Sequence, residues 1–142
     1  MLLDKNRSRC GIHQKIIVSR DDGMPREHRA VNPDGKYEVY HLKLDGDLVK
    51  NEPCCDFLLL NDSLKRAYFI ELKGRNISDA VPQLENGERL CRAELCGYEV
   101  LYRIVASKVR THEIQKNGFR KFADKCGGAL KYRSCTVFEE EL

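Results

Sequence analysis

The sequence lacks a long apolar run, an apolar segment near its start and a C-x-x-C pair of cysteines. No run approaches the about eighteen apolar residues that a membrane-spanning helix needs, so no membrane segment is expected. The opening residues MLLDKNRSRC lack the apolar core of a signal peptide, so we expect no export. These absences predict a protein of the cytoplasm that does not contact a membrane.

The cysteines number seven, an odd count without regular spacing and without a C-x-x-C pair. In a chain without an export signal, this pattern favours reduced thiols over a disulfide framework. Cys10 and His13 have a C-x-x-H spacing that zinc sites also use, but no second zinc half-site with such tight spacing follows. We therefore interpret the cysteines as buried or incidental thiols.

Internal repeats, low-complexity tracts and Pro/Gly/Ser-rich linkers are also missing. A chain of 142 residues is long enough to bury a core, so we predict a single domain over residues 1–142. Its 42% hydrophobic and 33% charged residues are typical of a soluble globular protein.

Charge is unevenly distributed along the chain, although the formal net charge is only +3. Residues 100–138 hold nine Lys or Arg against two acidic residues, whereas residues 35–99 hold nine basic and twelve acidic ones. A basic C-terminal third beside an acidic middle suits a polyanionic partner and a carboxylate-bearing site. The alternative interpretation is a solvated face that only keeps the protein soluble.

Hydrophobic periodicity and turn residues predict the order of the elements. Strands are predicted in KYEVYHLKL, CCDFLLLN, RAYFIELKG, YEVLYRIVASKV and ALKYRSCTVFEE, with a short element in HQKIIVSR and loops through DDGMPREHRAVNPDG. Helices are predicted from near Ser78 to about residue 95, since Pro82 is tolerated only in a first turn, and in NGFRKFADKC. A helix between two strands indicates a crossover. The fold class is thus α/β (or α+β), a central mixed sheet flanked by helices.

The hairpin within residues 54–74 carries charged residues in apolar strands. A four-residue turn from Asp62 to Lys65 would pair the two strands so that Asp56 lies directly opposite Glu71. Facing residues project to the same side of a sheet, and Lys73, two positions after Glu71, shares that side. A shift of one residue in the turn would move Asp56 to the other face.

Two facing carboxylates repel each other unless a cation lies between them. Mg²⁺ or Mn²⁺ suits such a place, because these ions prefer oxygen ligands and bind phosphate oxygens. A neighbouring lysine can orient or deprotonate water and offset phosphate charge. The alternative is a structural salt bridge from Lys73 to Glu71 or Asp56 at the rim of the sheet.

These residues resemble the motif of the PD-(D/E)XK nuclease superfamily, in which an Asp enters one strand and E-x-K ends the next. The resemblance covers roughly residues 37–109 and implies a restriction-endonuclease-like core. It implies that Asp56 and Glu71 are metal ligands and that Lys73 is catalytic. It further implies a backbone ligand at the Leu72 carbonyl and a supporting role for Gln83 on the following helix.

The chain departs from that motif in two places. Cys55 replaces the proline before Asp56, and no N-terminal helix offers a further acid, for which Glu27 and Glu38 are the candidates. The expected function is Mg²⁺- or Mn²⁺-dependent hydrolysis of nucleic acid. An inactive nucleic-acid-binding or regulatory module on the same fold is the first alternative, and a protein without any nucleic-acid role is the second.

The basic helix and strand of residues 112–140, with the residues just before them, are expected to hold the backbone of DNA or RNA. A homodimer is plausible, because small nucleases of this kind often need two subunits to cut two strands. The predicted backbone contacts are Lys108, Arg110, Lys116, Arg120, Lys121, Lys131 and Arg133.

Overall fold

A computed structural model describes residues 1–142. The strands are β1 (Ile16–Arg20), β2 (Glu27–Val31), β3 (Val39–Lys43), β4 (Phe57–Asn61), β5 (Arg66–Lys73), β6 (Glu99–Ala106), β7 (Leu130–Ser134) and β8 (Val137–Glu141). The helices are α1 (Ala80–Cys91), α2 (Thr111–Ile114) and α3 (Asn117–Cys126). None of them has the length and apolar character required to cross a membrane.

The larger sheet has five strands in the order β3-β4-β5-β6-β7. The first two pairings are antiparallel, and the β5–β6 and β6–β7 pairings are parallel. Parallel neighbours need a crossover, which α1 provides before β6 and α3 provides before β7. The predicted mixed sheet is confirmed.

The β4–β5 hairpin has the predicted register. Asn61 pairs with Arg66 and Phe57 pairs with Ile70, which leaves residues 62–65 as the turn. The Asn61 side chain accepts a hydrogen bond of 3.1 Å from the Leu64 N–H, and Lys65 adopts the left-handed φ of 55° that closes the turn. Local turn chemistry therefore sets the register on which the position of Asp56 depends.

The two faces of the large sheet are covered differently. Helices α1 and α3 pack on one face, where Leu58, Leu60 and Phe69 are buried. On the other face, Phe57 and Ile70 are buried with residues of a second sheet, which has three strands in the order β1-β2-β8. The expected flanking by helices is confirmed for one face only, because the other face is covered by strands.

The second sheet also corrects two predictions at the ends of the chain. The segment expected to be loop contains β2, which pairs with β1 antiparallel and with β8 in parallel. The segment ALKYRSCTVFEE was predicted as one strand but forms β7 in the large sheet and β8 in the small one. Cys135 and Thr136 form the connection between them.

Buried polar groups join the two sheets. The Arg103 Nε and the His28 Nε2 lie 2.7 and 2.6 Å from the same Glu140 oxygen. His41 bonds the Ser19 hydroxyl at 2.8 Å, and burial is the main cause that lowers the His41 pKa to about 4. Arg103, counted above within the basic third, is therefore a buried structural residue.

Helix α1 approaches the strand-entry segment closely at Gly87. A Cβ placed on Gly87 would lie 2.9 Å from the Cys55 Sγ and 3.2 Å from the Cys54 Sγ, and both thiols are buried. The alanine variant should lose about 1–3 kcal/mol to overpacking, which exceeds the about 1 kcal/mol gained in helix propensity. We therefore expect Gly87→Ala to lower the midpoint of urea unfolding.

Gly118 provides the matched control, since a Cβ on this helical glycine meets nothing within 4 Å. Gly118→Ala should leave stability unchanged or raise it by up to about 1 kcal/mol. A Gly87→Ala variant as stable as Gly118→Ala would show that the approach of α1 is not tight.

Candidate active site

Asp56 and Glu71 meet at the end of the hairpin, just beyond the last regular pair of β4 and β5. The Asp56 N–H donates to the Glu71 Oε1 at 3.2 Å, and the Leu72 N–H donates to the Asp56 Oδ2 at 2.9 Å. The two carboxyl groups are close enough that, after burial, the charge of Asp56 is the next cause that raises the pKa of Glu71. The structure thus brings the two predicted metal ligands together.

The carboxyl pair is buried, with Asp56 8% and Glu71 3% exposed. Burial, followed by the negative charge of Asp56, raises the pKa of Glu71 to about 10. Burial also raises the pKa of Asp56, although the Leu72 N–H and Lys43 oppose this. Burial and the mutual repulsion of the two carboxyl groups therefore favour retention of one proton by the pair.

Lys73 is half-buried at the end of β5, on the same side of the strand as Glu71. Its amine has no carboxylate oxygen within 4.0 Å, so the alternative of a structural salt bridge to Glu71 or Asp56 is not formed. Its positive charge nevertheless opposes the rise in the Glu71 pKa. Lys73 thus presents an uncommitted amine beside the carboxyl pair.

Two residues that the sequence analysis did not name also reach the pair. The Lys43 Nζ lies 3.6 Å from the Asp56 Oδ1 and 3.1 Å from the Asp21 Oδ1. Asp21 follows β1 in the smaller sheet, and Lys43 ends β3 in the larger one. Nothing in the sequence near either residue signals this contact, because it depends on how the two sheets pack.

The proposed N-terminal acids lie elsewhere. Glu27 pairs with Arg29 at 3.1 Å and with Arg20 at 3.7 Å, and Glu38 accepts the Tyr40 hydroxyl at 2.6 Å. Neither contacts the carboxyl pair. Asp21, joined to Asp56 through Lys43, is the additional acid that the structure places near it.

Gln83 belongs to the early part of α1, one helical turn before Gly87, and shares its face of the helix. Gly87 contacts the segment that leads into Asp56. The Gln83 Oε1 is buried without a hydrogen-bond partner, which is an unusual state for an amide oxygen. No hydrogen bond joins it to Asp56 or Glu71, so its supporting role stays a prediction.

The fit of a divalent ion can be assessed from the donors present. No cluster of three or more His, Cys, Asp or Glu side chains is arranged to hold a metal. Cys10 and His13 therefore belong to no such cluster. Two carboxylates and a backbone carbonyl nevertheless match Mg²⁺ or Mn²⁺, which keep several waters as ligands. The carboxyl pair favours positive charge nearby, since the Glu71 pKa is raised and the Lys43 Nζ lies 3.6 Å from the Asp56 Oδ1. Asp56, Glu71 and the Leu72 carbonyl therefore fit such an ion.

The predicted nucleic-acid contacts fall into separate groups. Lys108 lies beside the site, because its N–H approaches the Gly74 carbonyl at 3.4 Å. Lys131 and Arg133 alternate with the residues of β7 that face α3, so they project from the opposite face of the sheet to α3. Arg133 stacks on Phe138 of β8 at 4.2 Å. The basic residues therefore do not line one continuous surface.

The remaining basic residues follow β6 or belong to α3. Lys116 bonds Glu113 at 3.2 Å, and Glu113 also accepts the Ser78 hydroxyl, which fixes α2 beside the start of α1. Arg120 and Lys121 are exposed on α3, and Arg110 is half-buried between β6 and α2. Of the predicted contacts, Lys108 is thus the one whose backbone lies next to the end of β5.

Comparisons of this chain with protein-family models, curated proteins and solved structures find no match. The chemistry available at the site is set by its own groups. These are a buried carboxyl pair, the unpaired Lys73 amine and the contact of Lys43 with Asp21 and Asp56.

Proposed function

We propose that the protein hydrolyses phosphodiester bonds of nucleic acid at a metal-dependent site of the PD-(D/E)XK type. The observation that carries the proposal is the buried Asp56–Glu71 carboxyl pair beside the unpaired amine of Lys73. A structural role does not need two buried carboxyl groups in contact, since like charges at facing positions destabilise a sheet. The chain order of β3, β4, β5, α1 and β6 also supports a restriction-endonuclease-like core.

The chain's residues have distinct roles in this reaction. Asp56, Glu71 and the Leu72 carbonyl would hold the ion, which would make a bound water more acidic and stabilise charge on the phosphate oxygens. Lys73 orients the attacking water by hydrogen bonding and offsets the negative charge of the phosphate. Lys43 pairs with Asp21 at 3.1 Å and lies 3.6 Å from Asp56, so it offsets part of the negative charge of the carboxyl pair. Gln83 supports the site from α1.

DNA or RNA is the proposed partner, held by Lys108 and the basic residues that follow β6. All seven cysteines are free thiols, which fits the cytoplasm that we propose as the compartment. A homodimer would bring two such sites to a duplex. These proposals all depend on an active carboxyl pair.

The test is to incubate the protein with labelled single-stranded DNA, duplex DNA and RNA, in EDTA and then with Mg²⁺ or Mn²⁺. Cleavage is expected only with the ion. Asp56→Asn should abolish cleavage and also the rise in melting temperature that the ion gives to the wild type, because an ion that binds only the folded site stabilises it.

Asp124→Asn is the control, since Asp124 is exposed on α3 and forms no ion pair. It should retain both cleavage and the thermal response. An unchanged thermal response in Asp56→Asn would place the ion elsewhere. Salt-dependent binding without cleavage under all ions would favour the inactive binding module, and no binding at low ionic strength would exclude both.

A further inference from the structure

Arg26 is half-buried at the end of the β1–β2 connection, immediately before β2. Its Nε is buried and has no hydrogen-bond partner, and its guanidinium forms no ion pair. A buried donor without an acceptor is costly, and a charged donor more so. The acidic neighbours do not relieve this, because Asp21 pairs with Lys43 and Glu27 pairs with Arg29 and Arg20.

The guanidinium lies beside Gly74, the residue that follows Lys73. A Cβ on Gly74 would be 4.0 Å from a terminal nitrogen of Arg26. The Gly74 carbonyl is already used, since it accepts the Ser107 N–H at 3.0 Å and the Ser107 hydroxyl at 2.5 Å. Arg26 therefore approaches this end of β5 without taking an acceptor from the protein.

Three cationic residues from three parts of the chain thus lie next to Gly74, Lys73 and Lys108 through their backbones and Arg26 through its guanidinium. Lys73 precedes it, Lys108 approaches its carbonyl through the backbone at 3.4 Å, and Arg26 reaches it from the smaller sheet. None of the three side chains forms an ion pair within 4.0 Å. Basic side chains that lack counter-charges in one region of the chain favour an anion from outside it.

We propose that Arg26 is a phosphate-binding residue that takes a phosphodiester group of the nucleic acid beside Lys73. The inference rests on the proposed function and extends it to a group supplied by the second sheet. Guanidinium presents its N–H donors in a planar fork that matches two phosphate oxygens. A phosphate bound to the terminal nitrogens would supply the counter-charge that the guanidinium lacks.

Other arginines show what distinguishes Arg26. Arg66, at the opposite end of β5, is half-buried and bonds Glu99 through its Nε at 3.1 Å. Arg103 is buried, but Glu140 accepts from its Nε at 2.7 Å. Arg26 is the one arginine with a buried Nε that no acceptor reaches. Arg66 is therefore the matched control, half-buried and with the same charge, but with an acceptor at its Nε and a position at the other end of β5.

The experiment follows the arginine Nε–H resonances of the ¹⁵N-labelled protein in EDTA, with Arg26 assigned by the loss of its peak in Arg26→Lys. The probes are inorganic phosphate and, separately, a short oligonucleotide with hydroxyl ends. Both should shift the Arg26 peak and leave the Arg66 peak in place. A shift with inorganic phosphate and none with the oligonucleotide would overturn the assignment to a phosphodiester.

Binding of the same oligonucleotide gives the second measurement. Arg26→Gln should weaken it by about tenfold or more, and Arg26→Lys should recover only part of the loss, because a point charge lacks the fork. Arg66→Gln should change it by no more than about threefold. Equal losses in Arg26→Gln and Arg66→Gln, or an Arg26 peak that does not move, would overturn the inference.

The two proposals fail in different ways. An Arg26 shift in EDTA without cleavage under Mg²⁺ or Mn²⁺ would remove the nuclease and keep the phosphate site. Cleavage under the ion together with an unmoved Arg26 peak would remove the phosphate site alone.

Discussion

Lys73→Met should lower the cleavage rate by about a thousandfold, within the range of general acid–base and positioning groups, and leave binding in EDTA nearly unchanged. The amine lies beside the carboxyl pair and has no carboxylate of its own within 4.0 Å. Methionine retains most of the aliphatic chain and removes only the charge. No orphaned carboxylate results, so stability should change by less than about 0.5 kcal/mol.

The measurement separates binding from chemistry. Single-turnover cleavage with saturating protein gives the rate, and anisotropy of a labelled oligonucleotide at several salt concentrations gives the affinity and its salt dependence. Lys108→Met is the matched control, because Lys108 lies across Gly74 from Lys73 and is exposed. It should weaken binding and reduce the slope of log affinity against log salt by about 0.7–0.9, with little effect on the saturated rate.

A different outcome would reassign Lys73. If Lys73→Met loses affinity as Lys108→Met does, and cleaves at the wild-type rate when saturated, the amine only contacts the nucleic-acid backbone. The proposed division between a reactive lysine and a binding lysine would then be wrong.

The hairpin could be predicted from sequence because its determinants are local. A polar turn between two apolar runs fixes the pairing of Asn61 with Arg66, and the count of residues then sets Asp56 against Glu71. The capping by Asn61 and the left-handed Lys65 lie within that turn. The predicted helix NGFRKFADKC likewise matches Asn117–Cys126, since its apolar spacing and the following glycines are local signals.

The second sheet could not be predicted in the same way. Strand β2 places Glu27 and His28 in buried positions, so its pattern does not alternate between apolar and polar residues. Its partner β8 comes from the other end of the chain, with Glu27 facing Val137. The pairing of these strands positions the β1–β2 connection, whose Asp21 pairs with Lys43 beside Asp56.

Three residues near the site depend on that packing. Lys43 of the larger sheet contacts Asp56 and pairs with Asp21, which follows β1 of the smaller sheet. The Arg26 guanidinium lies beside Gly74 from the β1–β2 connection. Charge counts along the sequence were misleading for a related reason. Arg103 was counted with the basic third, but Glu140 binds it in the interior, and Arg133 lies on Phe138.

Glu71→Gln should stabilise the ion-free protein at alkaline pH by about 2 kcal/mol or more, because it removes a buried ionisable group from beside Asp56. The folded protein holds the Glu71 proton more tightly than the unfolded chain, with a pKa raised by burial and by Asp56 from 4.5 to about 10. A raised pKa favours folding most below 4.5. The contribution of Glu71 to the free energy of unfolding therefore falls as pH rises from about 4.5 toward about 10.

Glutamine reproduces the protonated form of Glu71. Its carbonyl oxygen can accept the Asp56 N–H, and its amide N–H groups can donate to the nearby Asp56 carboxylate. The variant cannot ionise, so it loses this contribution to the pH dependence. Other titrating groups, including His41, are common to both proteins and cancel in the difference between them.

Urea unfolding in EDTA from about pH 5 to about pH 9 measures that difference, which should widen steadily with pH. Glu85→Gln, an exposed change on α1, should follow the wild type throughout. Adding Mn²⁺ at alkaline pH should stabilise the wild type and not Glu71→Gln, because only the ionised carboxylate pair attracts the ion. Parallel curves for the wild type and Glu71→Gln would mean that Glu71 is ionised in the folded protein without an ion. The carboxyl pair would then hold no proton for a metal to displace.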